Sequence, residues 1–296
     1  MSYNPFPVEE PHTVFHYTSV DTMMKIVSSR TLWATNISYL NDTSEGDHFI
    51  RMVQDRLPHL MPQRELQESP LVQEFGARGR SIETRPFITS FSADGDSLPQ
   101  WRSYCPSGNG VAIGFSVKSL KEARVEPQND KIPQSFKPSV EFARVQYMPE
   151  DKTPPSLDNL LWRLINDART SPLDKFGMPD FTQELNLSDA VEREACRRKH
   201  SSFRAENEYR LIVVRPFLTN IEFRSVRSTL VPYIKLSIPE FKEQDGGGRA
   251  RLDLVTKVVV GPTTDARLSI SAIEGFFNKL NLGVDVVSSQ CPFRDW

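Results

Sequence analysis

The chain has 296 residues, 38% hydrophobic and 25% charged, with a formal net charge of −2. That balance is ordinary for a globular protein and excludes disordered, collagen-like and uniformly basic nucleic-acid-binding chains. No long apolar run occurs, and the opening MSYNPFPVEEPH is polar and acidic, so a cytoplasmic protein without membrane or secretory segments is expected.

In chain order, Val14 to Thr18 is a short apolar-aromatic strand, and Ser19 caps a helix whose Val20, Met23, Met24 and Val27 fall on one buried face. Leu32 to Ala34 is a brief extended piece, and Asn41-Asp42 marks a turn before a helix from about 45 to 57. Residues 58–84 are polar and weakly patterned. PFITSFS (86–92) and GVAIGF (110–115) are strands flanking a segment that carries Trp101 and Tyr104, and Val140 to Met148 reads as another strand. From about 149 to 189 the chain is proline-punctuated around one short helix, which predicts an insertion on the surface. Asp189 to His200 reads as a charged helix, followed by strands at 208–214, 230–238 and 255–260. EQDGGGRA (243–250) is a loop tip, Ile270 to Leu280 a helical stripe, and Val284 to Val287 a last strand. Clustered helices and dominant strands predict an α+β domain spanning the whole chain.

The familiar short motifs for phosphate, dinucleotide or serine-hydrolase chemistry are absent. The histidines (His12, His16, His48, His59, His200) are scattered, and Cys105, Cys196 and Cys291 form no CxxC pair, so neither a metal nor a disulfide framework is expected. The basic run Arg193, Arg197, Arg198, Lys199, His200 reads as a solvated helix face. Four groups remain: His16-Tyr17-Thr18-Ser19; Asn41-Asp42 with Glu45; Thr89-Ser90-Phe91-Ser92 with Trp101 and Tyr104; and Lys199-His200 and Phe203 with Glu206, Glu208 and Arg210. On a strand that begins early enough, Glu206, Glu208 and Arg210 would share a face, where the carboxylates raise one another's proton affinity or simply pair with Arg210.

The ordered set FHYTS, LWATNISYLND, TSFS with QW and GVAIGF, KHSSFRAENEYR and VVVGP resembles the bacterial domain-of-unknown-function family 2971 over nearly the whole chain. That family is similar, more distantly, to ADP-ribosyltransferases of the His-Tyr-Glu kind, including DNA-modifying toxins of toxin–antitoxin systems and RNA 2′-phosphotransferases. The resemblance implies a split antiparallel or mixed sheet with flanking helices. It implies NAD as substrate without a metal, and a toxin or antiphage-defence effector that transfers ADP-ribose to nucleic acid or protein, or hydrolyses NAD.

Carried onto this sequence, Glu208 would be the catalytic glutamate and Glu206 its partner, and His16 would hold the adenosine ribose. Tyr17, Thr18, Ser90 and Ser92 would line the NAD site, with Thr89 on the same Ser/Thr strand and Trp101 or Tyr104 stacking on nicotinamide. Asn41, Asp42, Glu45, Lys199, His200 and Arg210 would buttress the site or meet the acceptor. The partners so implied are NAD, a nucleic-acid or protein acceptor and an antitoxin or defence-system protein, with no membrane. Two alternatives stay open: a non-catalytic nucleotide- or protein-binding module of the same shape, and an enzyme of the RNA 2′-phosphotransferase kind whose basic run holds the backbone.

Overall fold

The computed structural model describes residues 10–40, 47–60, 82, 85–105, 109–126, 138–148, 157–169, 181–239, 242–243, 251–252, 254–263 and 265–292. Asn41, Asp42 and Glu45, most of 58–84 and the glycine tip of EQDGGGRA lie outside them. Within them the chain is α+β, with one large, mostly antiparallel sheet and flanking helices.

β1 (Thr13–Ser19) passes directly into α1 (Val20–Ser29), because the Ser19 hydroxyl accepts the Thr22 amide at 3.2 Å and satisfies a first-turn donor. Met23, Ile26 and Val27 are buried, whereas Met24, expected on the same face, is exposed. The buried stripe is centred on 23, 26 and 27, which places Met24 on its flank. Arg30, in the left-handed region with φ 54°, turns the chain into β2 (Thr31–Asn36).

Next come α2 (Asp47–Leu60), β3 (Phe87–Ser92), α3 (Leu98–Tyr104), β4 (Gly110–Ser116), α4 (Val117–Leu120) and β5 (Arg124–Glu126). The single strand expected over 140–148 is instead two, β6 (Val140–Arg144) and β7 (Gln146–Met148). The break falls at Val145, where the backbone changes partner: the Val145 amide bonds the Glu208 carbonyl, and the next amide bonds that of Arg197. After α5 (Leu157–Arg169), α6 (Phe181–Cys196) ends four residues before the helix expected to reach His200. Arg198–His200 forms β8, which pairs in parallel with β7.

The remaining strands are β9 (Glu208–Val213), β10 (Ile221–Val226), β11 (Thr229–Ser237), the short pair β12 (Lys242–Glu243) and β13 (Arg251–Leu252), β14 (Val255–Val260) and β15 (Asp285–Ser288). α7 (Ala266–Lys279) precedes the last of these. β10 carries the alternation IEFRSV but was not foreseen.

In the large sheet the order is β10-β11-β2-β3-β1-β4-β14-β15, with β9 on β3, β6 on β9 and β5 on β11. Its main core joins Val14, Met23, Leu32, Phe91, Ile113, Leu211, Val258 and Phe277. A second core holds α2, α5 and α6 together through Phe49, Val53, Leu161, Ile165 and Val191. The stretch expected as a surface insertion therefore contributes buried helix faces.

Candidate functional site

β3 positions the site. One of its edges is paired along its whole length with β9, from Phe87↔Val213 to Ser92↔Glu208. The other edge is shared: β2 pairs only at its start (Thr35↔Ile88, Asn36↔Phe87) and β1 only at its end (Phe15↔Ser92). Between these contacts β1 and β2 diverge, so the sheet is split over Thr89 to Phe91. Side chains bridge the split. The Thr89 hydroxyl donates to the Trp33 carbonyl at 3.0 Å, and His16 Nδ1 lies 3.0 Å from the Ser90 carbonyl. Here a cleft of about 890 Å³ opens, lined by His16, Tyr17, Thr18, Ser90, Ser92, Tyr104, Glu206 and Glu208 on one side and by Trp33, Thr35, Arg224 and Lys235 on the other.

A carbonyl can only accept, so His16 Nδ1 carries the hydrogen. Burial lowers the ring's pKa and outweighs the Ser90 bond, which acts the other way. The imidazole is therefore neutral at pH 7, and Nε2 is an acceptor with no hydrogen-bond partner among the described residues.

Glu208, at the first position of β9, is 4% exposed and heavily bonded. Arg210, two residues on and on the same face, donates from Nε at 2.7 Å and Nη2 at 3.0 Å, and Lys199 Nζ approaches at 3.1 Å. The Ser90 side chain also favours the ionised carboxylate. Burial raises the Glu208 pKa, but the Arg210 and Lys199 charges and these hydrogen bonds prevail and hold it at about 2. It is an anion at every physiological pH. Elevation of Glu208, expected from the proximity of Glu206, does not occur, because Lys199 stands between the two carboxylates and Arg210 lies beside Glu208.

Glu206 also reaches this place, but not by strand alternation. It ends a 3-10 turn (Ser201–Glu206), and Asn207, at φ 42°, swings the chain into β9. Ser92 Oγ pins that turn by donating to the Glu206 carbonyl at 2.8 Å, and Lys199 Nζ meets Glu206 Oε2 at 2.8 Å. Tyr104, on α3, points its hydroxyl at Glu206 Oε1 at 3.5 Å.

The other expected residues divide. Trp101 does not line the cleft: it is 3% exposed, donates Nε1–H to Asp96 at 2.8 Å and packs edge-on against Tyr17. The Tyr17 hydroxyl is bound to the Asp94 carbonyl and the Ser97 amide, which fixes the turn between β3 and α3. His200 accepts the Ser202 amide and caps the 3-10 turn away from the cleft.

The basic run is not a solvated helix face. Arg197 pairs with Glu141 and Glu194, Arg198 pairs with Glu194 and lies over the Phe49 ring at 4.2 Å, Arg193 pairs with Glu141, and Lys199 is buried between Glu206 and Glu208. Tyr147, Trp33, Thr35, Arg224 and Lys235 have no place among the sequence candidates. Tyr147 accepts the Glu208 amide at 2.8 Å, and Trp33 stands in the alternation Thr31-Trp33-Thr35, where a large ring on a polar strand face was the available signal. Among the described residues, no His, Cys, Asp and Glu side chains gather in the threes a metal site needs, and no helix is long and apolar enough to cross a membrane.

Residues 100–211 match the model of a family described as protein of unknown function (DUF2971). Over that stretch the chain is similar to this family. The match runs from α3 through most of β9 and so takes in Tyr104, Lys199, Glu206, Glu208 and Arg210, while β1, α1 and β2 precede it. No curated protein and no solved structure matches the chain.

Proposed function

We propose that this protein cleaves the nicotinamide–ribose bond of NAD, transferring ADP-ribose to a nucleic-acid or protein acceptor or to water. The observation that carries the reading is the adjacency of β1, β3 and β9, which sets His16, Ser90 and Glu208 around one cleft at the split of the sheet. NAD already bears a cationic leaving group, and its cleavage passes through an oxocarbenium-like state, so the site needs a fixed anion more than a proton donor. Glu208 is such an anion, ionised and held in place before any ligand arrives. Neutral His16 offers Nε2 as an acceptor for a ribose hydroxyl, Tyr104 rather than Trp101 is the α3 aromatic that lines the cleft, and Glu206 can orient an incoming nucleophile. A role in toxin or antiphage defence, with an antitoxin or defence-system partner, remains part of this proposal.

One observation favours a second reading. The Glu208 carboxylate already accepts from Arg210 and Lys199, which suits a structural anchor in a nucleotide-binding module without chemistry. The RNA 2′-phosphotransferase reading loses its support, because the basic run that would hold a backbone is engaged internally.

Nicotinamide release from NAD, followed by mass spectrometry with and without nucleic acid and cell lysate, tests the choice. Glu208→Gln with unchanged circular dichroism is expected to lower release by about two orders of magnitude or more. Equal release by wild type and variant removes Glu208 from the chemistry, and NAD binding without release under any condition assigns the module.

A further inference from the structure

The far wall of the cleft has its own chemistry. β2, β11 and β10 lie side by side, with Thr35 opposite Tyr233, Trp33 opposite Lys235 and Glu222 opposite Tyr233. Paired residues share a sheet face, so Thr31, Trp33, Thr35, Tyr233, Lys235, Glu222 and Arg224 form one surface while Leu32, Ala34, Ile234 and Leu236 enter the core on the other. Trp33 is 42% exposed and stacks on Tyr233, with ring centres 4.3 Å apart.

Arg224 is the unusual member. Its Nη2 donates to Thr35 Oγ1 at 3.0 Å and its guanidinium lies 5.6 Å from the Trp33 ring centre, but its Nε is buried with no hydrogen-bond partner, and no carboxylate of the described residues pairs with it. Elsewhere, recessed arginines are paired with acids: Arg197 with Glu141, Arg198 with Glu194, Arg210 with Glu208 and Arg215 with Asp189. The nearest acid on its own strand face, Glu222, is taken by Lys235 at 2.7 Å and by the Tyr233 hydroxyl at 2.8 Å. A half-buried guanidinium facing a cleft without a counter-charge is a ready anion site, and an exposed indole beside it adds a stacking surface.

We propose that Trp33, Thr35 and Arg224 form a subsite for a nucleoside phosphate, with the phosphate on the guanidinium and the base against the indole. The subsite does not depend on bond cleavage, so it stands or falls apart from the catalytic reading. Calorimetric titration of the full chain with ADP, adenosine, pyrophosphate and a short oligoadenylate tests it. Wild type binds ADP more tightly than adenosine. Arg224→Met weakens ADP at least tenfold, to the level of adenosine, and Trp33→Leu weakens ADP and adenosine together while sparing pyrophosphate.

Circular dichroism confirms that each variant is folded. Arg224→Lys, which keeps the charge without the planar fork, restores part of the ADP affinity. Tight oligoadenylate binding with weak ADP binding, lost in Arg224→Met, assigns the phosphate to a strand rather than a free nucleotide. Absence of ADP and oligoadenylate binding in wild type, or equal binding by Arg224→Met, overturns the subsite. ADP binding without nicotinamide release leaves it standing while the catalytic proposal falls.

Discussion

The two walls of the cleft use the same kinds of side chain and connect them in opposite ways. On the β3–β9 wall, two carboxylates and two cations are buried together, so Glu206, Glu208, Lys199 and Arg210 sum to no net charge. On the β2–β11–β10 wall, Arg224 faces a ring and a hydroxyl instead of an acid. A charge taken out of water must find compensation, and the first wall supplies it from the chain itself. Its order is therefore part of folding, whereas the order of the second wall is available to a ligand.

The largest effect should come from opening the closed wall. Glu208→Ala leaves Arg210, 1% exposed, without its carboxylate and Lys199 with Glu206 alone. Removing one partner of a buried ion pair costs about 3–5 kcal/mol. Urea denaturation should show that loss, and a change of less than about 1 kcal/mol would place the charges in solvent. For the same reason Glu208→Gln, which keeps shape and hydrogen-bonding capacity, is the variant for enzymology.

Acid should act in the same direction by a graded route. Glu208 is held at about 2, and Asp96 is also lowered: burial raises it, but bonds from Ser289, the Gln290 amide and Trp101 outweigh that. His16 is lowered by burial. Each group binds fewer protons folded than unfolded, so stability is fully present above the unfolded values and falls as pH drops. Melting temperature should decline first below about pH 6.5, through His16, and then more steeply below about pH 4.5, through Glu208 and Asp96. Glu208→Gln should flatten the lower part and leave the upper part in place. Parallel curves for the two proteins down to pH 2 would refute the pairing.

How much of this was legible in the sequence depends on distance along the chain. β1 with its Ser19 cap, β3 and β9 are set by local pattern, which offers His16, Ser90 and Glu208 among many polar and aromatic candidates; the family resemblance is what singles them out. The pairing of Glu208 with Arg210 was open to the same reasoning, because two residues on a strand share a face. Lys199 between the carboxylates was not, since a run of five basic residues looks solvated until its acids arrive from β6, α6 and the 3-10 turn. The partners Thr35 and Arg224 are separated by 189 positions, and β10 itself was missed, so the open wall had no local signature beyond a tryptophan on a polar strand face.

A smaller effect separates two jobs of one ring. His16→Asn keeps an amide donor where Nδ1 meets the Ser90 carbonyl and deletes Nε2, whereas His16→Gln keeps an acceptor oxygen nearer the Nε2 position and loses the bridge across the split. His16→Asn should stay within about 1 kcal/mol of wild type in urea denaturation, the net worth of one hydrogen bond, while NAD turnover falls at least about tenfold. Full turnover in His16→Asn would confine the histidine to holding the sheet together.

The smallest effect on stability belongs to Arg224→Met, and its smallness is the point. The substitution removes a cation that burial disfavours, together with a buried Nε that has no partner. It also removes one hydrogen bond to Thr35 and a cation–π contact with Trp33, each worth about 0.5–1 kcal/mol. The methionine retains most of the aliphatic stem, and these terms oppose one another, so the unfolding free energy should stay within about 1 kcal/mol of wild type. A loss comparable with that of Glu208→Ala would show that Arg224 has an internal counter-charge, and the two walls would then be alike. A near-zero change beside a large loss at Glu208 would establish that the protein compensates one buried charge cluster by itself and leaves the other uncompensated.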